Sequence, residues 1–169
     1  MMFSTFQLPS PLGWLHIVCD KDALITVDFD GFSARLEQLL RQRFGAVTLT
    51  ETSPAPHIGT AFDRYFAGEL NSLDGLSVSM GGTVFQQRVW RQLRLIPAGS
   101  TQTYGGLARA LGLRERESAR AVGHANSLNP IAIVVPCHRV IGVDGTLTGY
   151  AGGLWRKEWL LRHEGALLI

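Results

Sequence analysis

Cys137 and His138 stand side by side in "IVVPCHRVIG", residues 133–142, where an apolar run meets a proline and then a thiol, an imidazole and a guanidinium. A cysteine attacks as its thiolate, and an ordinary pKa of ~8.5 leaves only a few per cent ionised at neutral pH. A neighbouring imidazole raises that fraction, and an imidazole works best when a carboxylate orients it. The segment "LWRKEWLLRHEG" offers Glu158 and Glu164, and the apolar neighbours of Glu164 favour its facing inward. Adjacent residues on a regular strand point to opposite faces. Cys137 and His138 are therefore expected on a turn, with a water between them. The parts suit two chemistries: a cysteine peptidase or amidase, and a thiolate alkyl acceptor acting on nucleic acid. A buried structural cysteine is the blander alternative, and the polar neighbours of Cys137 speak against it.

The rest of the chain must position these groups. Its 169 residues, 46% apolar and 18% charged, suffice to bury a core in one large domain or two small ones. Two cysteines, Cys19 and Cys137, make no disulfide framework, and no clustered Cys/His spacing suggests a metal. The start "MMFSTFQLPSPLG" does not read as a signal peptide, and no apolar run is long enough to span a membrane, so a reduced, cytoplasmic setting is expected. Charge is segregated. Residues 1–80 hold five Lys/Arg against nine Asp/Glu, a net of −4. Residues 81–129 hold seven Arg against two Glu, a net of +5, and residues 130–169 hold four against three, a net of +1. Arginine suits phosphate and base contacts, although a solvated helical surface explains such a run equally well. The asymmetry predicts a boundary near Gly81-Gly82, with an α+β unit over 1–80 and a mainly helical unit over 81–169.

Within the first unit, "WLHIVCD" and "ALITVDF" read as a hairpin joined at Lys21-Asp22. "SARLEQLLRQRFG" reads as a helix with Ser33 as N-cap and Gly45 as stop. "ETSPAPHIG" reads as a loop, "AFDRYFAGE" as a short helix and "LSVSM" as a strand, with His16 and Cys19 structural. The second unit opens on a capping box, Thr83 with Gln86, and a stripe of Phe85, Val89, Leu93 and Ile96 ended by Pro97 and Gly99. "TYGGLARALG" starts a short helix after Thr103. "LRERE" is a turn, and "SARAVGHANSLNP" is a helix from Ser118 that ends at Asn129-Pro130. Two short helices across a tight turn read as helix-turn-helix. Arg120 falls in the first turn of the second helix, and Ala119, Ala121, Gly123 and Ala125 permit close approach to a groove or close packing in a core. "PIAIVVPC" reads as a buried strand and "LWRKEWLLRHEG" as a helix apolar at Leu154, Trp155, Trp159, Leu160 and Leu161.

"NPIAIVVPCHRVIG" resembles the active-site signature of the O6-alkylguanine-DNA alkyltransferases. "GGTVFQQRVWRQLRLIPAG", "TYGGLA", "ARAVGHAN", "GTLTGYAGG" and "RKEWLLRHEG" resemble that family too, so the likeness runs almost continuously over residues 81–165. Over residues 1–80 it rests on layout and "YFAGEL". The resemblance implies a ribonuclease H-like N-terminal domain followed by a winged-helix or helix-turn-helix domain. It implies a minor-groove reader that flips the damaged guanine into a pocket. Cys137 would accept the alkyl group, His138 would take its proton through a water, and Glu164 would orient His138. Asn129 would brace the turn, and Tyr104 would donate to the guanine ring. Arg120 would enter the vacated stack, with Thr103, Ala121, Gly123 and Ala125 at the DNA. Tyr150, Val140, Gly152 and Gly153 would line the pocket. The partner implied is double-stranded DNA carrying O6-alkylguanine, bound by a monomer, cooperatively or not. No cofactor and no metal are expected. The "LRERES" turn reads as two residues longer than the usual family version. A non-enzymatic lesion sensor of the alkyltransferase-like kind is the rival, and Cys137 argues against it, because those proteins replace the acceptor cysteine.

Overall fold

The computed structural model describes residues 1–167. Two compact units emerge, one of Met1–Gly81 with Pro130–Val134, the other of Gly82–Asn129 with the chain from Val135 onward.

The first unit is built on a four-stranded sheet. The strands are β1 (Met2–Leu8), β2 (Leu15–Asp20), β3 (Ala23–Phe29) and β4 (Thr48–Glu51), in the order β3-β2-β1-β4. β1, β2 and β3 are antiparallel neighbours, with Phe6 opposite Ile17 and Ile17 opposite Val27. β4 adds in parallel to β1, Phe3 facing Leu49. A parallel neighbour needs a crossover, and helix α1 (Ser33–Phe44) supplies it. Leu36, Leu40 and Phe44 of α1, with Val47, pack on Phe3, Val18 and Ile25 of the sheet. Gly45 ends α1 at φ +72, but Ser33 is not the cap: Phe32 holds that place without a side-chain bond.

Helix α2 (Pro56–Phe66) begins five residues before the helix expected at Ala61. Pro56 sits at its start, where a fixed φ fits and no amide donor is needed; the same residue made this stretch read as loop. It buries Ile58, Phe62 and Tyr65. "LSVSM" forms no strand: only Val78 bridges, to Leu24 on the outer edge of β3. Ile131 bridges to Val27 farther along that edge, which explains why Pro130–Val134 belongs to this unit.

In the second unit, helix α3 (Val84–Leu93) opens with the expected capping box, Thr83 Oγ1 accepting from Gln86 N and Gln86 Oε1 from Thr83 N. It ends at Leu93, before Pro97 is reached, and buries Val89, Trp90 and Leu93. Strand β5 (Gln102–Thr103) leads into α4 (Tyr104–Ala110), and α5 (Glu115–Ser127) follows after four residues. α5 therefore starts three residues before Ser118, with Arg114 as its cap, and residues 111–114 connect the two helices. Glu115 and Glu117 in the first turn suit the positive end of the helix dipole. Arg120 consequently lies in the second turn. After α5 come a single 3-10 turn (Cys137–Arg139), strand β6 (Val140–Ile141) and helix α6 (Leu154–His163). α6 buries Lys157, Leu160 and Leu161, whereas Leu154 and Trp155, expected inside, are about half exposed. No helix of the described residues is long and apolar enough to cross a membrane.

Candidate active site

The segment "PIAIVVPC" is buried throughout but is not a strand. Two three-residue turns replace it. Ile133 adopts φ +71 and Val134 N bonds back to Ala132 O at 2.8 Å. Pro136, at φ −83 and ψ 64, is the centre of an inverse γ-turn in which Cys137 N donates to Val135 O at 2.8 Å. A branched residue at positive φ is costly and persists only where its surroundings enforce it. Here Asn129 Nδ2 donates to Val135 O at 2.6 Å, the buried brace that pins the turn. The 3-10 turn then carries Cys137 and His138 consecutively, which a pleated strand would have set on opposite faces. Asn126 Nδ2 reaches Cys137 O at a long 3.4 Å.

His138 Nε2 meets Glu164 Oε1 at 2.9 Å, and both side chains are fully buried. Arg139 grips the same carboxylate, Nε donating to Oε1 at 2.9 Å and Nη2 to Oε2 at 2.7 Å. Its Nη1 donates to Ile96 O at 2.6 Å. Burial alone would raise the Glu164 pKa, but the hydrogen bonds and charges of His138 and Arg139 win and hold it well below the usual carboxylate range. Burial is also the main influence on His138 and lowers its pKa. Glu164 opposes that shift, and the charges of Arg139 and Lys157 add to it. His138 Nδ1 is buried without a hydrogen-bond partner among the described residues.

Further contacts tie down the residues that follow the cysteine turn. β5 pairs in parallel with β6, Gln102 opposite Val140 and Thr103 opposite Ile141, so the start of α4 lies beside the residues that follow the cysteine turn. Lys157, fully buried, donates to Val140 O at 2.6 Å, Thr148 O at 2.8 Å and Gly149 O at 3.3 Å. Burial lowers its ammonium to about 8, and the Coulombic influence of Cys137 works in the opposite sense. Thr148 Oγ1 donates to Tyr104 Oη at 3.0 Å. Gly123 of α5 faces the Tyr104 ring, where an added Cβ would stand 3.4 Å from a ring carbon. A buried, ionised carboxylate behind an imidazole, beside a cysteine on a rigid turn, can deprotonate a thiol. A tyrosine hydroxyl on the adjoining helix can donate a proton.

Two family models divide the chain. Residues 3–80 match the ribonuclease-like domain of 6-O-methylguanine DNA methyltransferase, and residues 84–166 match its DNA binding domain. The methylated-DNA–protein-cysteine methyltransferase of Methanosarcina acetivorans is 55% identical over 166 residues, covering 98% of this chain and 99% of that protein. The chain belongs to the 6-O-methylguanine DNA methyltransferase family. The Salmonella typhimurium protein of the same name is 50% identical over 167 residues, 96% of each chain. Among solved structures, Mycobacterium tuberculosis OGT in complex with DNA superposes at a TM-score of 0.80, with 37% identity over 98% of this chain and 94% of that one. The methyltransferase of Pyrococcus kodakaraensis gives 0.77 at 31% identity, over 97% and 99%. The fold is thus the family's: a ribonuclease-like domain and a DNA-binding domain that contains the α4–α5 helix pair.

Within this methyltransferase fold the residues singled out from sequence divide by surroundings. Cys137, His138, Glu164 and Asn129 converge as described. Thr103 caps α4, its Oγ1 accepting from Gly106 N at 2.9 Å. Arg120 and Ala121 are exposed on α5. Ala125, by contrast, is buried at 2% exposure, and its carbonyl accepts from Trp90 Nε1 at 2.9 Å. Val140 is buried with its carbonyl on Lys157. Tyr150 is half-buried, its carbonyl accepting from Gly153 N at 2.9 Å, and Gly153 takes φ +94 at the start of α6. Gly152 is buried, its carbonyl accepting from Arg156 Nη1 at 2.7 Å. Sequence reasoning missed Arg139, Lys157 and Thr148. A lysine at the centre of an otherwise apolar helical stripe, between Leu154 and Leu161, was the one available signal for Lys157.

Proposed function

We propose that this methyltransferase repairs DNA by direct reversal, with Cys137 as the single-use acceptor of the alkyl group from O6-alkylguanine. The observation that carries the assignment is the buried Cys137–His138–Glu164 series on a braced turn. His138 takes the Cys137 proton through a water while Glu164 holds the ring. The thiolate sulfur attacks the alkyl carbon in line, the S–C bond forms and the C–O6 bond breaks with its electron pair going to the guanine. Tyr104 donates toward the guanine ring, so that the leaving base does not depart as an anion. Thr148 orients the Tyr104 hydroxyl. The product is a thioether with no carbonyl for water to attack, so one protein molecule acts once.

The DNA contact is assigned to α5. Double-stranded DNA lies against it through the minor groove, whose degenerate code suits a protein that must find lesions in any sequence. Arg120 enters the stack as the guanine flips out, and Ala121, Gly123 and Thr103 lie at the groove. Unstacking costs a few kcal/mol, least for a poorly paired base, which favours lesions. Tyr150, Val140, Gly152 and Gly153 line the pocket for the flipped base. The reading extends to O4-alkylthymine as a second substrate and to a monomer working in the cytoplasm without an organic cofactor.

The test is incubation with a duplex carrying radiolabelled O6-methylguanine, followed by peptide mapping. Label is expected on Cys137 at up to one equivalent, and none in Cys137→Ser. DNA binding without label on Cys137 would sink the transferase assignment in favour of a lesion sensor. Repeated turnover on peptides without DNA would favour a cysteine peptidase.

A further inference from the structure

Two asparagines, at and just beyond the end of α5, hold both ends of the γ-turn centred on Pro136. Asn129 Nδ2 donates to Val135 O and Asn126 Nδ2 to Cys137 O. The two contacts differ in quality. Asn129 donates at 2.6 Å, but Asn126 only at 3.4 Å, longer than the ~3.2 Å that N–H···O bonds usually reach. Bracing therefore explains Asn129 better than it explains Asn126. The Cys137 carbonyl still fixes how the Asn126 amide is turned, because a carbonyl only accepts, so nitrogen faces it and Oδ1 is the other branch. Asn126 is 6% exposed, and its Oδ1 is buried with no hydrogen-bond partner among the described residues. A buried amide oxygen in that condition is costly, and a leucine of similar shape would avoid the cost. His138 Nδ1 is in the same condition. Its ring gives Nε2 to Glu164 Oε1 at 2.9 Å, so Nδ1 is the nitrogen left to other work. Two buried acceptors are thus fastened to consecutive residues of one turn: Nδ1 belongs to His138, and Oδ1 to the amide on Cys137 O.

We propose that Asn126 is a positioning residue whose Oδ1 anchors the water that carries the proton from Cys137 to His138. The inference rests on the reading of Cys137 as acceptor and His138 as its base. A buried water makes about three hydrogen bonds. Before transfer this one accepts from the Cys137 S–H and donates one hydrogen to His138 Nδ1 and the other to Asn126 Oδ1. The S–H bond breaks as the thiol proton moves to the water oxygen and a water proton moves to Nδ1. The products are a thiolate, an imidazolium and a water, with no change in net charge. The same three contacts persist: the water now accepts from Nδ1–H and donates to the thiolate and to Oδ1. Because Oδ1 only accepts, it holds one water hydrogen in either form. The other hydrogen is left on the line between sulfur and Nδ1. Without that anchor the water can turn aside, and the thiolate loses an ordered donor.

A crystal structure of the native full chain, at a resolution that shows ordered waters, is one test. A water is expected within about 3.2 Å of both Asn126 Oδ1 and His138 Nδ1. A water on Nδ1 that does not touch Oδ1, or none at all, overturns the proposal. The other test is the rate of Cys137 alkylation by iodoacetamide against pH, read by peptide mapping, which follows the thiolate. Asn126→Leu keeps the shape and removes the anchor. Its midpoint is expected about one pH unit above the native one, a tenfold loss of thiolate at a fixed lower pH. The charged groups around the pair, Glu164, Arg139 and Lys157, are common to both proteins, so the shift reports position 126. In a His138→Gln background, which has no base to serve, Asn126→Leu should move the midpoint by far less. An unmoved midpoint in folded Asn126→Leu, or a shift of equal size without His138, leaves Asn126 as a second brace and rejects the proposal. Should Asn126→Leu not fold, the native crystal structure decides alone. Absence of label transfer to Cys137 would instead sink the repair assignment and leave both measurements standing.

Discussion

Glu164 ties two readouts together at the residue scale, because its carboxylate serves both His138 and Arg139. Its pKa is depressed in the fold, so the stability it contributes is complete above the unfolded value of ~4.3 and is lost as pH falls toward the folded value. Glu164→Gln leaves the Arg139 guanidinium buried without its counter-charge, a loss expected at about 3–5 kcal/mol. Urea denaturation across acid pH checks both: the native midpoint should fall below about pH 4 while that of Glu164→Gln stays flat there. Lys157 has the opposite sign. Its folded pKa, about 8, lies below the ordinary lysine value. Between about pH 8 and pH 10.4 the unfolded chain binds more protons, so the charging penalty fades and stability rises with pH. Lys157→Met leaves the carbonyls of Val140, Thr148 and Gly149 short of a donor. That should cost roughly 1–3 kcal/mol, with the gap to the native protein widening from about pH 7.5 to 9.5. A gap that narrows over this range would contradict the assigned shift.

At the scale of elements, the approach of α5 to α4 depends on Gly123. Gly123→Ala places a methyl at 3.4 Å from the Tyr104 ring, which the ring can tolerate by a small movement, whereas Gly123→Val pushes the ring aside. Alkyl transfer should slow by at least about tenfold in Gly123→Val and by much less in Gly123→Ala, since misplacing a reacting group by about 1 Å costs on that order or more. A second element test lies in the β2–β3 hairpin, where Lys21 takes φ +54. Asn tolerates that conformation better, so Lys21→Asn should raise stability by about 0.5 kcal/mol, read as a shift in denaturation midpoint. These elements were unequally legible. The hairpin, the capping box and the cysteine motif announce themselves because their signals are local: alternation, a Thr-to-Gln spacing, a thiol beside an imidazole. The cysteine turn did not, since an apolar run reads as a buried strand whether or not its backbone is paired. What separates the two is Asn129, whose amide meets Val135 six residues on. The same holds for Arg139, Lys157 and Thr148, whose partners lie 8 to 44 residues away. Trp155 shows the converse error, an apolar residue that the helix leaves half outside.

For the whole molecule, the division of charge along the chain becomes a division of labour. The basic block of residues 82–129 lies in the second unit, but most of its arginines are already engaged. Arg88 donates to Leu111 O, Arg91 to Gln87, Arg109 pairs with Glu115 and Arg114 with Glu117. Arg116 and Arg120, one turn apart on α5, are exposed and have no partner among the described residues. Those two are therefore the arginines of α5 available to DNA without a competing bond, and they should fail in different ways. If Arg116 meets phosphate, Arg116→Ala weakens binding to every duplex alike and reduces the salt slope by about 0.9. If Arg120 replaces the flipped base, Arg120→Ala leaves the salt slope nearly intact but slows alkyl transfer, more for a well-paired lesion than for a mispaired one, because a weak pair needs less help to open. Transfer from the free O6-methylguanine base, which needs no opening, should be unchanged in both variants. Salt titrations of duplex binding, run beside single-turnover rates on paired and mispaired lesions, separate the two roles. Equal slowing on both lesions in Arg120→Ala would return that residue to the phosphate-binding class with Arg116.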